Sequence, residues 1–381
     1  MTPVPGSVHK PLPHDAARLH VTGQARYVDD SSTPPDCLHA AFGLSRVARG
    51  QVTAMDLDRV RAAPGVVTVL SGDDLSPMPD CSPSNHDEPL LGDGSVHYAG
   101  QPLFLVVATS HLAARRAAAL AAIEIVPEPP ILSLDDALAA DSRFEDGPRI
   151  YTKGDVDAAL ARAAHLVEGS IAIGGQEHFY LEGQSALALP QEGGDMVIQS
   201  SSQHPTEIQH KVAEALGLPM HAVRVEVRRM GGGFGGKESQ GNALAIACAV
   251  MAARTGRPVK MRYDRDDDFL ITGKRHDARI DYRAGFDAGC RILGIDFTHL
   301  IRCGWSMDLS LLVADRARIN TRGQAVVSRS KTGRNQVTAP IFLLVPQVKL
   351  PKRLDLDRDA ERALDSVPGL IVANWVEEWP F

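Results

Sequence analysis

The sequence predicts an α+β fold, with an α/β module left open for its first third. Over residues about 15–135, short apolar strands alternate with helical stretches. Between Val223 and Pro258, an alternating strand, a glycine-rich turn and an apolar helix follow one another. The composition, 44% hydrophobic and 23% charged over 381 residues, is that of a globular chain long enough for two or more domains.

In chain order, "RYVDD" at 26–30 and "LHAAFGLS" at 38–45 read as strands. "AMDLDRVRAAPGVVTVLSGDDL" reads as a helix, a Pro64-Gly65 turn and a buried strand. "GQPLFLVVATSHLAARRAAALAAIEIVPEPP" gives a strand, an alanine-rich helix and another strand, punctuated by Pro127, Pro129 and Pro130. A second segment opens near Arg149. Within it "DMVIQSSSQHPTEIQHKVAEALGLP" is an apolar strand that ends at Ser200 to His204 and passes into a helix. Pro205 suits the first turn of that helix, with Ser202, Gln203 or His204 near its cap.

The stretch Val223–Pro258 carries the chemistry. Val223, Val225 and Val227 alternate with polar residues as in a half-buried strand. Ala243 to Ala253 is an apolar helix ended by Gly256 and Pro258, too short to cross a bilayer. Five glycines and Phe234 fill the six positions Gly231–Gly236 between them. Bare backbone N–H groups and a helix N-terminus can there receive an anion closely. Gly231, Gly233 and Gly236 match G-x-G-x-x-G, and Gly231 to Lys237 matches G-x-x-x-x-G-K. Neither nucleotide motif is complete. Glu238 stands where a P-loop needs Ser or Thr, and no acid follows it until Asp264. A turn with no ligand and a nucleotide-binding loop at Gly231–Gly236 stay open as alternatives.

A net charge of −7 gives no electrostatic case for nucleic acid or anionic membrane as partner. The polar start "MTPVPGSVHKPLPHDAARLH" lacks an apolar signal core. Cys37, Cys81, Cys248, Cys290 and Cys303 are widely spaced, with no C-x-x-C pair, and read as scattered buried thiols in a reducing, cytoplasmic compartment. The "DRDDD" run at 264–268 is expected to be a solvated turn rather than a metal site. His178 reads equally as a packed core histidine or a ligand. After Ala317 the character changes: residues 318–353 are basic without an acid, and 354–381 are mainly acidic. "RGQAVVSRSKTGRNQ" reads as loop or disorder and "LDLDRDAERALDSV" as an amphipathic helix. The shift indicates a different module or a solvated tail over 318–381, packing poorly on what precedes it.

Five stretches together, "RRMGGGFGGKES", "GGQEHFYLEGQSALALP", "SSSQHPTEIQHKVAEALG", "DRDDDFLITGKRH" and "CGWSMDLSLLVADRA", resemble the molybdenum hydroxylases. That family includes the molybdenum-binding subunits of bacterial xanthine dehydrogenases, and the aldehyde oxidases. The resemblance covers about residues 8–317. It implies an α/β-hammerhead domain at 15–135 and the first part of a molybdopterin-binding α+β domain at 150–317. It implies an oxidoreductase subunit that hydroxylates a purine, hypoxanthine or xanthine to urate, with molybdenum–molybdopterin. Iron–sulfur clusters and FAD are implied only on a partner subunit. By resemblance, Gly232, Gly233 and Gly235 lie against the cofactor and Phe234 covers the metal's open position. Gln203 hydrogen-bonds an oxo group of the metal, and Glu238 orients the purine. Arg316 stabilises negative charge growing on it. Taken singly, Gln203 could be a helix cap, Glu238 a first-turn acid and Arg316 a surface charge. The family pattern continues past Arg316 with a second glycine loop and a glutamate base, which "RINTRGQAVVSRSKTGRNQ" and "VEEWPF" do not supply. The chain therefore reads as truncated after about residue 317 and inactive alone. A non-catalytic remnant or assembly module that binds partner subunits is the alternative.

Purified alone, with molybdenum cofactor and an artificial electron acceptor supplied, the chain is expected not to oxidise xanthine. Loss of a general base by itself costs about 10²–10⁴-fold in rate. Urate formation followed by absorbance checks this, and turnover of ~1 s⁻¹, low for an enzyme, would refute the truncation.

Overall fold

The structure, a computed structural model, describes residues 12–83, 85–143, 150 and 152–306. It also describes the backbone of Val313–Ile319, Ala325–Val327 and Val337–Pro340. The chain divides into two units, Met1–Ser310 and Leu311–Phe381.

The first unit opens with α1 (Ala17–Val21), β1 (Leu38–Leu44), β2 (Gly50–Asp56), α2 (Asp58–Arg61) and β3 (Val66–Ser71). Next come β4 (Ser95–Val96), β5 (Pro102–Ala108), α3 (His111–Ala118), β6 (Ala122–Pro127) and α4 (Leu134–Ala139). Its second part holds α5 (Val156–Ala161), β7 (His165–Ile173), β8 (Ser185–Pro190), β9 (Met196–Ser200), α6 (Pro205–Leu216) and β10 (Val223–Glu226). It closes with α7 (Asn242–Thr255), β11 (Val259–Arg262), α8 (Arg265–Ile271), β12 (Ala278–Phe286) and β13 (Ile292–Ile301). The second unit holds a sheet of β14 (Val313–Ile319), β15 (Ala325–Val327) and β16 (Val337–Pro340), with β14 between the other two. β15 lies where the sequence reads as loop, and "LDLDRDAERALDSV" lies outside the described residues.

One seven-stranded mixed sheet, ordered β10-β9-β8-β11-β1-β5-β3, carries the first unit. Its strands come from both segments of the sequence. They join at a parallel pair in which Leu38 faces Val259 and His39 faces Lys260. The run Pro102–Ala108 is buried at every residue, so both faces of β5 need cover. Leu105 and Val107 join the main core with Ile198, Ile208, Ile246 and Met251. Phe104 and Val106 pack instead with Leu57, Val60, Val69 and Ala117. α7 is buried from Leu244 through Ala252, which fits its wholly apolar sequence. It ends where Gly256 takes a left-handed φ of 66°. Two antiparallel three-stranded sheets, β4-β2-β6 and β13-β12-β7, flank this body.

Three expectations need correction. "RYVDD" forms no strand; Asp29 leaves the run to pair with Lys260 at 2.9 Å and Arg262 at 3.1 Å. The acidic run is not a solvated turn, because Asp264 precedes α8 and Asp266–Asp268 form its first turn. Arg115 of α3 binds Asp264, Asp266 and Asp267, while Asp268 is buried against Arg265 and Tyr180. Finally, Cys37, Cys81 and Cys248 are buried free thiols, but Cys290 is exposed and Cys303 half-buried.

Buried polar contacts also join the two segments. Lys211 of α6 is 3% exposed and its Nζ lies 2.6 Å from Asp80 Oδ2. Asn242, at the start of α7, donates to the Cys81 carbonyl at 3.0 Å and to Glu207 at 2.7 Å. Burial alone would raise the Asp80 pKa, but hydrogen bonds from Lys211 and Ser82 outweigh it and hold the carboxyl below its usual value. Lys211→Met should therefore cost about 3–5 kcal/mol at neutral pH, the usual loss when one partner of a buried pair is removed. The folded Asp80 pKa lies below the unfolded one, so this stabilisation is complete above about pH 4 and is lost as pH falls through the folded value. Urea titrations of both chains should show the difference narrowing in acid.

Candidate functional site

The residues before β8 build a floor. The chain bends at Leu181 and Glu182, which leaves Leu181 exposed while Tyr180, Glu182 and Gln184 all make contacts beneath the glycine loop. The Tyr180 hydroxyl donates to Asp268 Oδ1 at 2.7 Å. Burial, with Asp268 beside it, pushes the Tyr180 pKa up, so it remains a protonated donor. Gln184 Nε2 donates to the Tyr180 oxygen at 3.0 Å and to the Gly236 carbonyl at 2.9 Å. Arg265 donates to the Tyr180 and Leu181 carbonyls and holds the stretch from below.

The glycine loop lies on this floor. β10 delivers the chain at the sheet edge, and the loop runs from there to α7. Gly231 N–H donates to Glu182 Oε2 at 2.7 Å, and the Glu182 N–H returns a bond to the Gly231 carbonyl at 3.2 Å. Gln203, between β9 and α6, secures the far end. Its Oε1 accepts from the N–H groups of Gly235 at 2.9 Å and Lys237 at 3.1 Å. Its own N–H donates to the Lys237 carbonyl at 2.8 Å. The sequence places Gln203 at a helix cap, but α6 begins after His204 with no side-chain cap, so the Gln203 amide serves the loop.

Two glycines are required by contact. A Cβ at Gly233 would stand 2.5 Å from Gln203 Oε1, and one at Gly236 2.7 Å from the His178 ring. Phe234 sits between them at φ 55°, left-handed for a non-glycine residue, with its side chain 76% exposed. Among the described residues, the N–H groups of Gly232, Gly233 and Phe234 and the Nε2 of Gln203 donate to no protein atom. Gly232 is half-buried and Gly233 buried, with Phe234 exposed at the tip; successive N–H groups of this kind can together receive an anion.

The structure thus brings together Gln203, Gly232, Gly233, Phe234 and Gly235. Glu238 follows the loop, exposed, four residues before α7; it is not a first-turn acid, since that turn carries none. Nor is the helix N-terminus open to an anion, because Gly241 and Asn242 are buried. Arg316 lies on β14 of the second unit, and its side chain is outside the described residues. His178 is half-buried, stacked beside Tyr180 at 6.4 Å between ring centroids.

Lys237, weighed in the sequence only as the lysine of G-x-x-x-x-G-K, and Glu182, which sequence reasoning did not single out, meet beneath the loop. Lys237 is fully buried, with Nζ 3.1 Å from Glu182 Oε2 and 4.6 Å from the centre of the Tyr180 ring. It therefore points away from any phosphate the loop would hold, which counts against a nucleotide-binding G-x-x-x-x-G-K. The spacing of Tyr180, Glu182 and Gln184 in "YLEGQ" was the available signal.

Residues 22–129 match the a/b hammerhead domain of aldehyde oxidase and xanthine dehydrogenase, and residues 143–326 the molybdopterin cofactor-binding domain. Residues 304–378 match a family of unknown function. The chain is 39% identical over 317 residues to xanthine dehydrogenase of Drosophila subobscura, covering 83% of this chain and 24% of that protein. It is 36% identical over 313 residues to probable aldehyde oxidase 3 of Oryza sativa subsp. japonica, covering 80% and 23%. It thus spans about a quarter of the length of the curated relatives it matches. Among solved structures, aldehyde oxidoreductase from Desulfovibrio gigas aligns with a TM-score of 0.67 and 27% identity, over 76% of this chain and 34% of that one. Quinoline 2-oxidoreductase from Pseudomonas putida 86 shares the fold, with a TM-score of 0.70 at 24% identity over 77% of this chain and 39% of that one.

Gly233→Ala should destabilise the chain by about 1–3 kcal/mol, the usual cost of forcing an atom into a filled site. Because the added methyl displaces Gln203, amide exchange at Gly235 and Lys237 should rise in the same variant. An unchanged exchange rate at both would mean that Gln203 does not hold the loop.

Proposed function

The chain belongs to the molybdenum hydroxylase family, and on that premise we propose that its glycine loop forms one wall of a molybdenum–molybdopterin site that acts on a purine. The observation that carries this reading is the commitment of Gln203. With Oε1 fixed by two loop amides, Nε2 is left without an acceptor among the described residues, and Phe234 in the same loop is exposed.

The residues fit the group. Molybdopterin is large, flat and anionic, and close approach to it needs backbone without Cβ atoms and several N–H donors. When bound, the group supplies two-electron oxidation of a carbon beside a ring nitrogen, with water as the oxygen source. Gly232, Gly233 and Gly235 would let it approach, Gln203 Nε2 would donate a hydrogen bond to it, and Phe234 would shield it from water. Glu238, exposed beside the loop, accepts from a purine ring N–H and fixes the ring's orientation. Arg316, of the second unit, carries by resemblance alone the role of stabilising negative charge on a substrate. An iron–sulfur and FAD subunit takes the electrons. A reducing, cytoplasmic setting suits five cysteines that form no disulfide with one another, and no helix among the described residues is long and apolar enough to cross a membrane.

A second reading, a non-catalytic module that binds partner subunits, is favoured by one observation. Val167, Ile171 and Ile173 of β7 and Ile295, Phe297 and Ile301 of β13 fall on one face by register and are all exposed.

Purification of the chain from a host that makes the cofactor separates the two. Elemental molybdenum and released-pterin fluorescence should show the group bound, and Gln203→Ala should lower both. Gln203→Glu keeps the acceptors for Gly235 and Lys237 but removes the donor, so it should lower molybdenum occupancy while leaving loop exchange unchanged. In the cofactor-loaded chain, Glu238→Gln should weaken xanthine binding by about tenfold or more, the factor one lost hydrogen bond to a charged group carries, and leave binding of an aldehyde unchanged. A chain that carries no pterin in such a host would favour the assembly reading.

A further inference from the structure

Glu182 and Lys237 occupy the floor of the loop, and the activity proposed above uses neither. Lys237 is 0% exposed and Glu182 9%, and their charged atoms meet at 3.1 Å. Burying two charges is costly, and apolar residues of the same size would fill the space at least as well. Filling space therefore does not explain them. The same Glu182 Oε2 that meets Lys237 accepts the N–H of Gly231, the first residue of the loop. The backbone of Lys237, just past the loop's last glycine, is held on both sides by Gln203. A single carboxylate oxygen thus ties the loop's entry to its exit, while Gly232 to Gly235 rise between the two anchors.

We propose that the buried Lys237–Glu182 ion pair is the positioning device of the glycine loop, fixing its entry and exit so that the free N–H groups of Gly232, Gly233 and Phe234 stand ready before any ligand arrives. Three further observations agree. Burial holds the Lys237 pKa below its ordinary value, and the charge of Glu182 and its hydrogen bond oppose that fall. The Tyr180 ring lies 4.6 Å from the ammonium and supplies a second electrostatic partner. Glu182 Oε1 is buried without a partner among the described residues, as expected of a carboxylate kept for where its other oxygen points. The value of the device to a cofactor rests on the loop being the cradle; its effect on the loop does not.

The test is amide hydrogen exchange on the full chain without cofactor, for K237M and for the double variant E182Q/K237M. In K237M the carboxylate loses its cation and moves toward water, taking the acceptor of Gly231 with it. Exchange at Gly231 and Gly235 should rise about tenfold or more, the factor one lost hydrogen bond carries, while α7 amides keep their rates. In the double variant the neutral side-chain amide that replaces the carboxylate stays buried and again accepts from Gly231, so exchange should return toward that of the unaltered chain. Unchanged loop exchange in K237M, or a double variant no better protected than K237M, overturns the proposal.

Should K237M fail to fold, acylation of the unaltered chain decides. The Lys237 amine should react roughly a hundredfold more slowly than exposed Lys153, because it reacts only on opening. Equal rates overturn the proposal. Pterin content, measured on the same variants, reports on the cradle separately. A loosened loop with unchanged pterin upholds the ion pair's role and removes the cradle reading.

Discussion

A loop of five glycines and one phenylalanine has more conformational freedom to lose than almost any other six residues, and the site depends on how that freedom is removed. The loop closes one turn of its own, Gly236 N–H to the Gly233 carbonyl at 2.7 Å, but glycine brings no side chain to pack. The rest of its order is imposed from outside by three amide and carboxylate side chains. Glu182 takes the first N–H, Gln203 takes two near the end, and Gln184 takes the Gly236 carbonyl. Each comes from the end of a strand or the approach to one. The loop's geometry is therefore inherited from the sheet.

That inheritance explains why the first segment matters to a site it does not line. β8 and β9 carry Gln184 and Gln203 at their ends, and β8 reaches β1 only through β11. The parallel Leu38–Val259 register joins the two segments in one sheet. α7, buried along its length, packs against that sheet with residues of both segments in the same core. Lys211 with Asp80, and Asn242 with the Cys81 carbonyl, add polar ties where apolar packing alone would allow sliding. The hammerhead segment thus braces the strands that present the loop.

The sequence made some of this legible and hid the rest for identifiable reasons. Period and punctuation found β1, β5, α3, β9, α6 and α7, because each is an apolar run closed by glycine, proline or a polar turn. "RYVDD" misled because alternation over five residues is weak, and Asp29 had distant cations to meet. The acidic run misled because Arg115, 149 residues before Asp264 in sequence, gathers its carboxylates. Long-range charge pairing leaves no local pattern to read. In the site, Gln203 and Phe234 could be singled out by resemblance, but the use of Gln203 Oε1 by two loop amides could not. Glu182 was hidden for the same reason: its partners Gly231 and Lys237 lie 49 and 55 residues away.

The fate of Lys237 shows how the loop differs from the phosphate motif it matches in letters. In a phosphate-binding loop the lysine reaches the ligand as a point charge, and the helix N-terminus adds its dipole. Here Glu182 draws the lysine beneath the loop, α7 begins five residues later, and its start is covered by buried Gly241 and Asn242. Both sources of concentrated positive charge are thereby withdrawn from the exposed surface. What the loop offers is a row of neutral N–H donors with an aromatic ring beside it. Such a surface favours a broad, flat group with its negative charge spread over many atoms. A compact triphosphate would find its charge unmatched and Glu238 close by.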